Sequence, residues 1–138
     1  MDKALNYLGL ARKAGKAELG EEPVNAATRA VKAALVIVAS DASDHTWRRA
    51  KSFVAGTGQE CIRLPHTKDE LGATIGRQEL AIAALTDAAM AQAFVKALPQ
   101  TEKTAKVLEV LDEKVRRAKQ RQKEAKAHQK NVRFGKKK

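Results

Sequence analysis

The run "ALVIVAS", residues 34–40, sets the strongest constraint on this chain. A half-exposed strand would alternate apolar and polar residues. This run is continuously apolar, so it reads as a strand buried on both faces. It is also far shorter than the ~20 residues that a membrane-spanning helix needs. A strand of this kind has to be covered from above and below, and the sequence on either side of it has helical period.

Upstream, "DKALNYLGLARKAG" repeats Leu5, Leu8 and Ala11 at helical spacing, with Gly15 as a stop signal. A short extended piece, "KAEL", leads to Gly20. Pro23 then suits the first turn of a second helix, where its missing N–H costs nothing, and Val24, Ala27, Thr28 and Val31 line one face. Downstream, Ser43 or Asp44 caps "HTWRRAKSFVAG", with Trp47, Ala50 and Val54 on its inner side and Arg48, Arg49 and Lys51 largely on the others. "ECIRL" is a short strand, and "TKDE" at residues 67–70 is a capping box that starts a short helix ending by Gly76. "ELAIAAL" is a fourth strand, and Thr86 and Asp87 open a fifth helix with Met90, Phe94 and Leu98 for burial. Alternation with short connections predicts an α/β fold, a three-layer α/β/α sandwich on a four-stranded sheet over residues 1–98.

Pro99 marks the boundary of a second region, residues 99–138. Leu108, Leu111, Val115 and Ala118 give the first half of one long helix an apolar seam that either docks on the body or pairs with a second chain. Past Ala118 the seam fades, and the expectation is a solvated basic helix running into a disordered tail. Charge divides at the same place. Residues 1–98 hold 13 Lys and Arg against 11 Asp and Glu, whereas residues 99–138 hold 14 against 5. From Arg116 onward there are 11 basic residues and a single acid, Glu124. Positive charge concentrated in this way serves a polyanion. An interfacial membrane helix needs an apolar face throughout, which this stretch lacks, so phosphate is the better partner and no membrane is expected.

At 138 residues and 43% hydrophobic content the chain has enough for one packed domain, and with 4% aromatics the core must be mostly aliphatic. The single cysteine, Cys61, forms no internal disulfide and fits a reducing compartment. With no signal-peptide pattern around Asp2 and Lys3, the expectation is a soluble cytoplasmic protein. His45, His66 and His128 have no ligand spacing among themselves or with Cys61, and no phosphate loop, dinucleotide fingerprint or nucleophile elbow is present. No metal, cofactor or enzymatic activity is expected.

Three motifs, "LGLARKAGKAELG" at residues 8–20, "LVIVASDAS" at 35–43 and "KDELGATIGRQELAIAALTD" at 68–87, occur in an order and spacing that resemble the ribosomal kink-turn-binding superfamily, whose archaeal member is large-subunit protein L-seven-Ae. The resemblance is closer to its bacterial YlxQ-type branch of ribosomal-protein-like RNA-binding proteins, and it spans residues 2–98. It implies an α/β/α sandwich that grips the bent backbone and exposed bases of a kink-turn in RNA. The grip has two parts: the glycine-led start of the second helix, and the loop between the short fourth helix and the last strand. Gly20 keeps the family's place. Glu22, Pro23 and Ala26 stand where strict kink-turn binders carry Asn or Lys, Glu or Gln, and Lys. In the loop, Gly72, Ile75 and Gly76 match the family's pattern, and Arg77 and Gln78 are placed to meet phosphate or base edges.

For Glu21 and Glu22 two readings stand: favourable partners of a helix N-terminus, or a carboxylate accepting from a base amino group. Asn25, Arg29 and Lys32 project from the outer side of the same helix, either as plain solvated residues or as an RNA face, and Lys13 and Lys16 flank Gly15 near the same rim. In the extension, Arg116, Arg117, Lys119, Arg121, Lys123, Lys126, Lys130 and Arg133 are candidate phosphate contacts. The expected function is non-enzymatic binding of structured, ribosomal RNA, with ribosome association and a monomeric state. The alternative is a protein-interaction adaptor of the same fold that uses the helix seam of residues 104–118 as a partner or dimer surface.

Overall fold

The computed structural model describes residues 2–135, with side chains described through Ala127. Helix α1 (Lys3–Lys13) starts at Asp2, whose carboxylate accepts from the Ala4 and Leu5 amides, and it buries Ala4, Leu8 and Ala11. Its end is set by Gly15, which takes a left-handed φ of 71° and lets the Lys16 amide reach back to the Ala11 carbonyl at 2.8 Å. Then follow β1 (Ala17–Leu19), α2 (Glu21–Arg29), β2 (Leu35–Val38), α3 (Asp44–Val54), β3 (Glu60–Arg63), α4 (Lys68–Thr74), β4 (Ile82–Leu85), α5 (Ala88–Lys96) and α6 (Glu102–Gly135).

The four strands form one sheet in the order β1-β4-β2-β3. β4 runs antiparallel to both its neighbours, and β2 and β3 are parallel. The expected doubly buried strand is β2, in which all four residues are buried. Helices α2 and α3 pair over one face, while α1, α4, α5 and α6 pack together over the other. Both faces of β2 are thereby removed from water, as its composition demands. The caps follow the sequence: Ser43 caps α3, the Thr67–Glu70 capping box opens α4, and Asp87 caps α5.

Two expectations change. Val31 does not continue the buried face of α2, because the helix ends at Ala30 and Val31 lies beyond it, 64% exposed with a left-handed φ of 55°. The seam of α6 is not open to a partner. Thr104, Val107, Leu111 and Val115 are its buried row, packed against α5 and β3, with Leu108 and Ala118 at its margins. A seam already filled by the body cannot serve as a dimer surface, so the adaptor alternative loses its proposed contact. The helix continues to Gly135, and of the expected disordered tail residues 136–138 fall outside the described residues.

Candidate functional site

Strand pairing decides which candidate residues can act together. Gly20 donates its amide to the Ile82 carbonyl at 3.0 Å, so α2 begins beside the entry to β4. Its φ of 97° and ψ of 166° belong to a region open essentially to glycine alone. No side chain caps the helix start. The Glu21 carboxylate pairs with Arg49 Nε at 3.4 Å and so ties α2 to α3, which leaves Glu22 as the exposed acid of the pair. Pro23 and Ala26 are also exposed, and neither offers a side chain that can hydrogen-bond.

The loop that enters β4 arrives at the same place. It folds back over α4: the Arg77 amide donates to the Gly72 carbonyl at 2.8 Å, and the Leu80 amide to the Lys68 carbonyl at 3.0 Å. This return is so close that a Cβ on Gly72 would stand 2.6 Å from the Glu79 Cα. Gly76 turns the chain at a φ of 74° and presents Arg77 and Gln78 to solvent. Ile75 is placed otherwise than expected. It is 3% exposed and belongs to the core, holding the loop from within rather than meeting a ligand. The start of α2 and the exposed turn at residues 76–78 thus frame one edge of the sheet.

Two basic candidates, Lys16 and Lys32, do not share that edge. β1 runs antiparallel to β4, pairing Ala17 with Leu85 and Leu19 with Ala83, so Lys16 lies beyond the far end of β4, where its carbonyl accepts from Thr86 at 2.8 Å. Lys32 follows α2 at the same far end, two residues before Ala34, whose amide donates to the Leu85 carbonyl at 2.8 Å. Lys13 lines a cleft of about 770 Å³ between α1 and α4, beside Ala73 and Thr74. Proximity in sequence put Lys16 and Lys32 at the rim, but a strand and a helix each carry the chain roughly 13 Å or more from one end of the sheet to the other. Arg29 is exposed and its Nε donates to Asn25 Oδ1 at 3.4 Å, which joins two of the predicted residues on the outer side of α2.

On α6, Arg116, Arg117, Lys119, Arg121, Lys123 and Lys126 are all exposed. Lys130 and Arg133 lie outside the residues whose side chains are described. Glu113 pairs with both Arg116 and Arg117. Trp47 is half-buried, and Lys51 and Arg63 approach its ring at 5.5 and 5.4 Å. Cys61 is buried in β3, and burial pushes its thiol up from the ordinary range, so it packs as a small apolar side chain.

Two residues that the sequence reading passed over also shape the surface. Gln59 is buried, accepting from the Ala33 amide at 2.9 Å and donating to the Thr28 carbonyl at 3.0 Å, so it braces the turn that carries Lys32. Lys114 is half-buried, and burial lowers the affinity of its amine for a proton while Glu60 opposes that shift. The i, i+3, i+7 spacing of Lys114, Arg117 and Arg121 on one helix face was the signal available for the second of these.

No family model matches the chain. It is 39% identical over 75 residues to the RNA-binding protein YlxQ of Enterococcus faecium, covering 54% of this chain and 72% of that protein. Among solved structures, a protein of unknown function from Bacillus halodurans superposes with a TM-score of 0.62 at 26% identity, over 81% of this chain and 99% of that one. The Giardia lamblia 15.5kD RNA binding protein superposes with a TM-score of 0.58 at 17% identity, over 78% of this chain and 87% of that one, a likeness of fold. The 39% identity to the Enterococcus faecium protein, over 72% of its length, shows that this chain belongs to the YlxQ family.

Proposed function

We propose that this protein is a non-enzymatic, cytoplasmic RNA-binding protein that acts as a monomer on structured, ribosomal RNA. The observation that carries the reading is the convergence of the Gly20 helix start and the 76–78 turn at the entry to β4, on a chain whose relative in Enterococcus faecium is named an RNA-binding protein. At this edge Glu22 comes from the first turn of α2, and Arg77 and Gln78 from the loop; Asn25 lies one turn further along α2, and Arg29 stands at its far end. Glu22, Pro23 and Ala26 carry no cation, so a kink-turn would be gripped mainly through the loop and through backbone shape. The cations of α6 add affinity for phosphate that is indifferent to sequence.

Salt titration tests this. Binding of a labelled RNA duplex interrupted by an internal bulge should weaken sharply when residues 116–138 are removed. The slope of log K against log salt should flatten too, because each lost phosphate contact takes about 0.7–0.9 from it. A slope unchanged by the truncation would remove α6 from the mechanism, and full-length protein that ignores the RNA in dilute buffer would end the reading altogether.

A further inference from the structure

The end of the sheet opposite the Gly20 edge holds a second cleft, of about 410 Å³. Four separate segments build it: the turn after α2, the lead into β3, the turn after β4, and the middle of α6. Its basic residues are Lys32, Lys114, Arg117 and Arg121, and the one acid in its lining is Asp87. Asp87 is engaged elsewhere, accepting from the Met90 amide at 2.9 Å as the cap of α5. Glu113 pairs with Arg117 at 3.2 Å on the exposed side of α6. Glu60 acts on Lys114 only from beyond contact distance, and among the described residues no carboxylate lies within ion-pair distance of Lys32, Lys114 or Arg121.

Two features fix the elements that carry these cations, of which Lys114 is half-buried and Lys32, Arg117 and Arg121 are exposed. α6 is fixed against the body by Val107, Leu111 and Val115, so the face bearing Lys114, Arg117 and Arg121 cannot turn away. Across the cleft, Lys32 sits on a turn closed by its own amide bond to the Ala27 carbonyl at 2.9 Å and braced by the buried Gln59. That turn places Val31, a β-branched residue, at a φ of 55°, a conformation such residues almost never take unless the surroundings impose it. Half-burying the Lys114 ammonium without a carboxylate in contact is costly, and an arriving anion would relieve that cost.

We propose that this cleft is a phosphate-binding site that takes a second stretch of RNA sugar-phosphate backbone, at the end of the sheet away from the glycine-framed edge. The assignment rests on the RNA-binding reading above. Lys114, Arg117 and Arg121 step along the helix by roughly 4.5 and 6 Å, a repeat suited to a row of phosphates rather than to one small anion. Charges that merely decorate a tail add affinity in proportion to their number; charges fixed around a cleft act together.

Equal charge removal separates the two. Lys32→Ala with Lys114→Ala should weaken binding of the bulged RNA duplex at least tenfold more than Lys119→Ala with Lys126→Ala, which strips the same charge from the outer face of α6. Lys32→Arg with Lys114→Arg should bind within about threefold of the parent, which excludes a folding defect at these positions. Equal losses from the two alanine pairs would overturn the cleft while leaving RNA binding intact. Loss in the arginine pair as severe as in the cleft alanine pair would overturn it as well. Displacement of the RNA by polyglutamate at equal charge concentration would assign the surface to an acidic protein instead. Parent protein with no affinity for the RNA would sink the broader reading first and the cleft with it.

Discussion

The two ends of the sheet are built by different physics. At the entry to β4 the surface is shaped by backbone: Gly20 at a φ of 97°, Gly76 at 74°, and Gly72 pressed against Glu79. Few charges gather there. At the other end the backbone contributes one strained valine, and the surface is made by cations on elements that tertiary packing locks together. The first end depends on residues that lack a side chain and the second on residues with long ones. An edge defined by shape can discriminate among RNA folds, whereas one defined by charge adds affinity with little discrimination. The two should fail independently when each is attacked by its own kind of mutation.

Undocking α6 is the largest such attack. Leu111 is fully buried between α6 and the body, and Leu111→Ala should cost about 2–5 kcal/mol of stability, read as a lowered midpoint in urea unfolding. The cationic end should lose its geometry while the glycine edge keeps its own, because Gly20, Gly72 and Gly76 make their contacts within the body. Hydrogen exchange that rises equally at residues 72–80 and at residues 104–118 would show the two ends to be one cooperative unit.

Gly72→Ala attacks the other end. The added methyl would meet Glu79 Cα, Glu79 N and the Gln78 carbonyl carbon at 2.6, 2.7 and 2.8 Å, and all three are backbone atoms. The loop must therefore lift from α4, at a cost of about 1–3 kcal/mol. The Arg77-to-Gly72 bond at 2.8 Å should open, exposing the Arg77 amide to exchange, while amides near Lys32 and Gln59 keep the parent's protection. Protection lost at both sites would break the proposed independence.

What the sequence could reveal differs between the ends for the same reason. The glycine edge was largely legible, since Gly20 and Gly76 mark backbone conformations that few other residues tolerate, Gly72 leaves room for the chain to return over α4, and a capping box fixed where α4 begins. The burial of Ile75 was not, because one apolar residue between glycines has no period to betray its direction. The layers followed from the doubly apolar β2 and the helical spacing around it. The cationic end was hidden. It depends on Ala34 pairing with Leu85, which sets Lys32 at the far end of β4, and on α6 docking through Val107 rather than Leu108. Both are long-range pairings, and neither leaves a mark in the local pattern. The alternation of apolar residues along α6 fits either row, and only the shape of α5 and β3 selects between them.

The helices α1 and α2 provide the finest comparison, because they end in the same way with different residues. In α1 the Gly15 amide donates to the Arg12 carbonyl at 3.1 Å and the Lys16 amide to Ala11 at 2.8 Å. In α2 the Val31 amide donates to Thr28 at 3.0 Å and the Lys32 amide to Ala27 at 2.9 Å, a matching pair of bonds around a left-handed residue. Glycine is at ease there, whereas an L-residue pays about 1–2 kcal/mol and valine more than most. Set against the ~0.5–1 kcal/mol of extra chain entropy that glycine loses on folding, Val31→Gly should stabilise the protein by about 0.5–1 kcal/mol, measured as a raised urea midpoint with an unchanged m-value. Val31 is 64% exposed, so its burial offers little to offset the gain. A stabilised variant that binds RNA less well would mean that the strained turn holds Lys32 where phosphate needs it, whereas a destabilised one would mean that Val31 makes contacts in solution that outweigh its backbone strain.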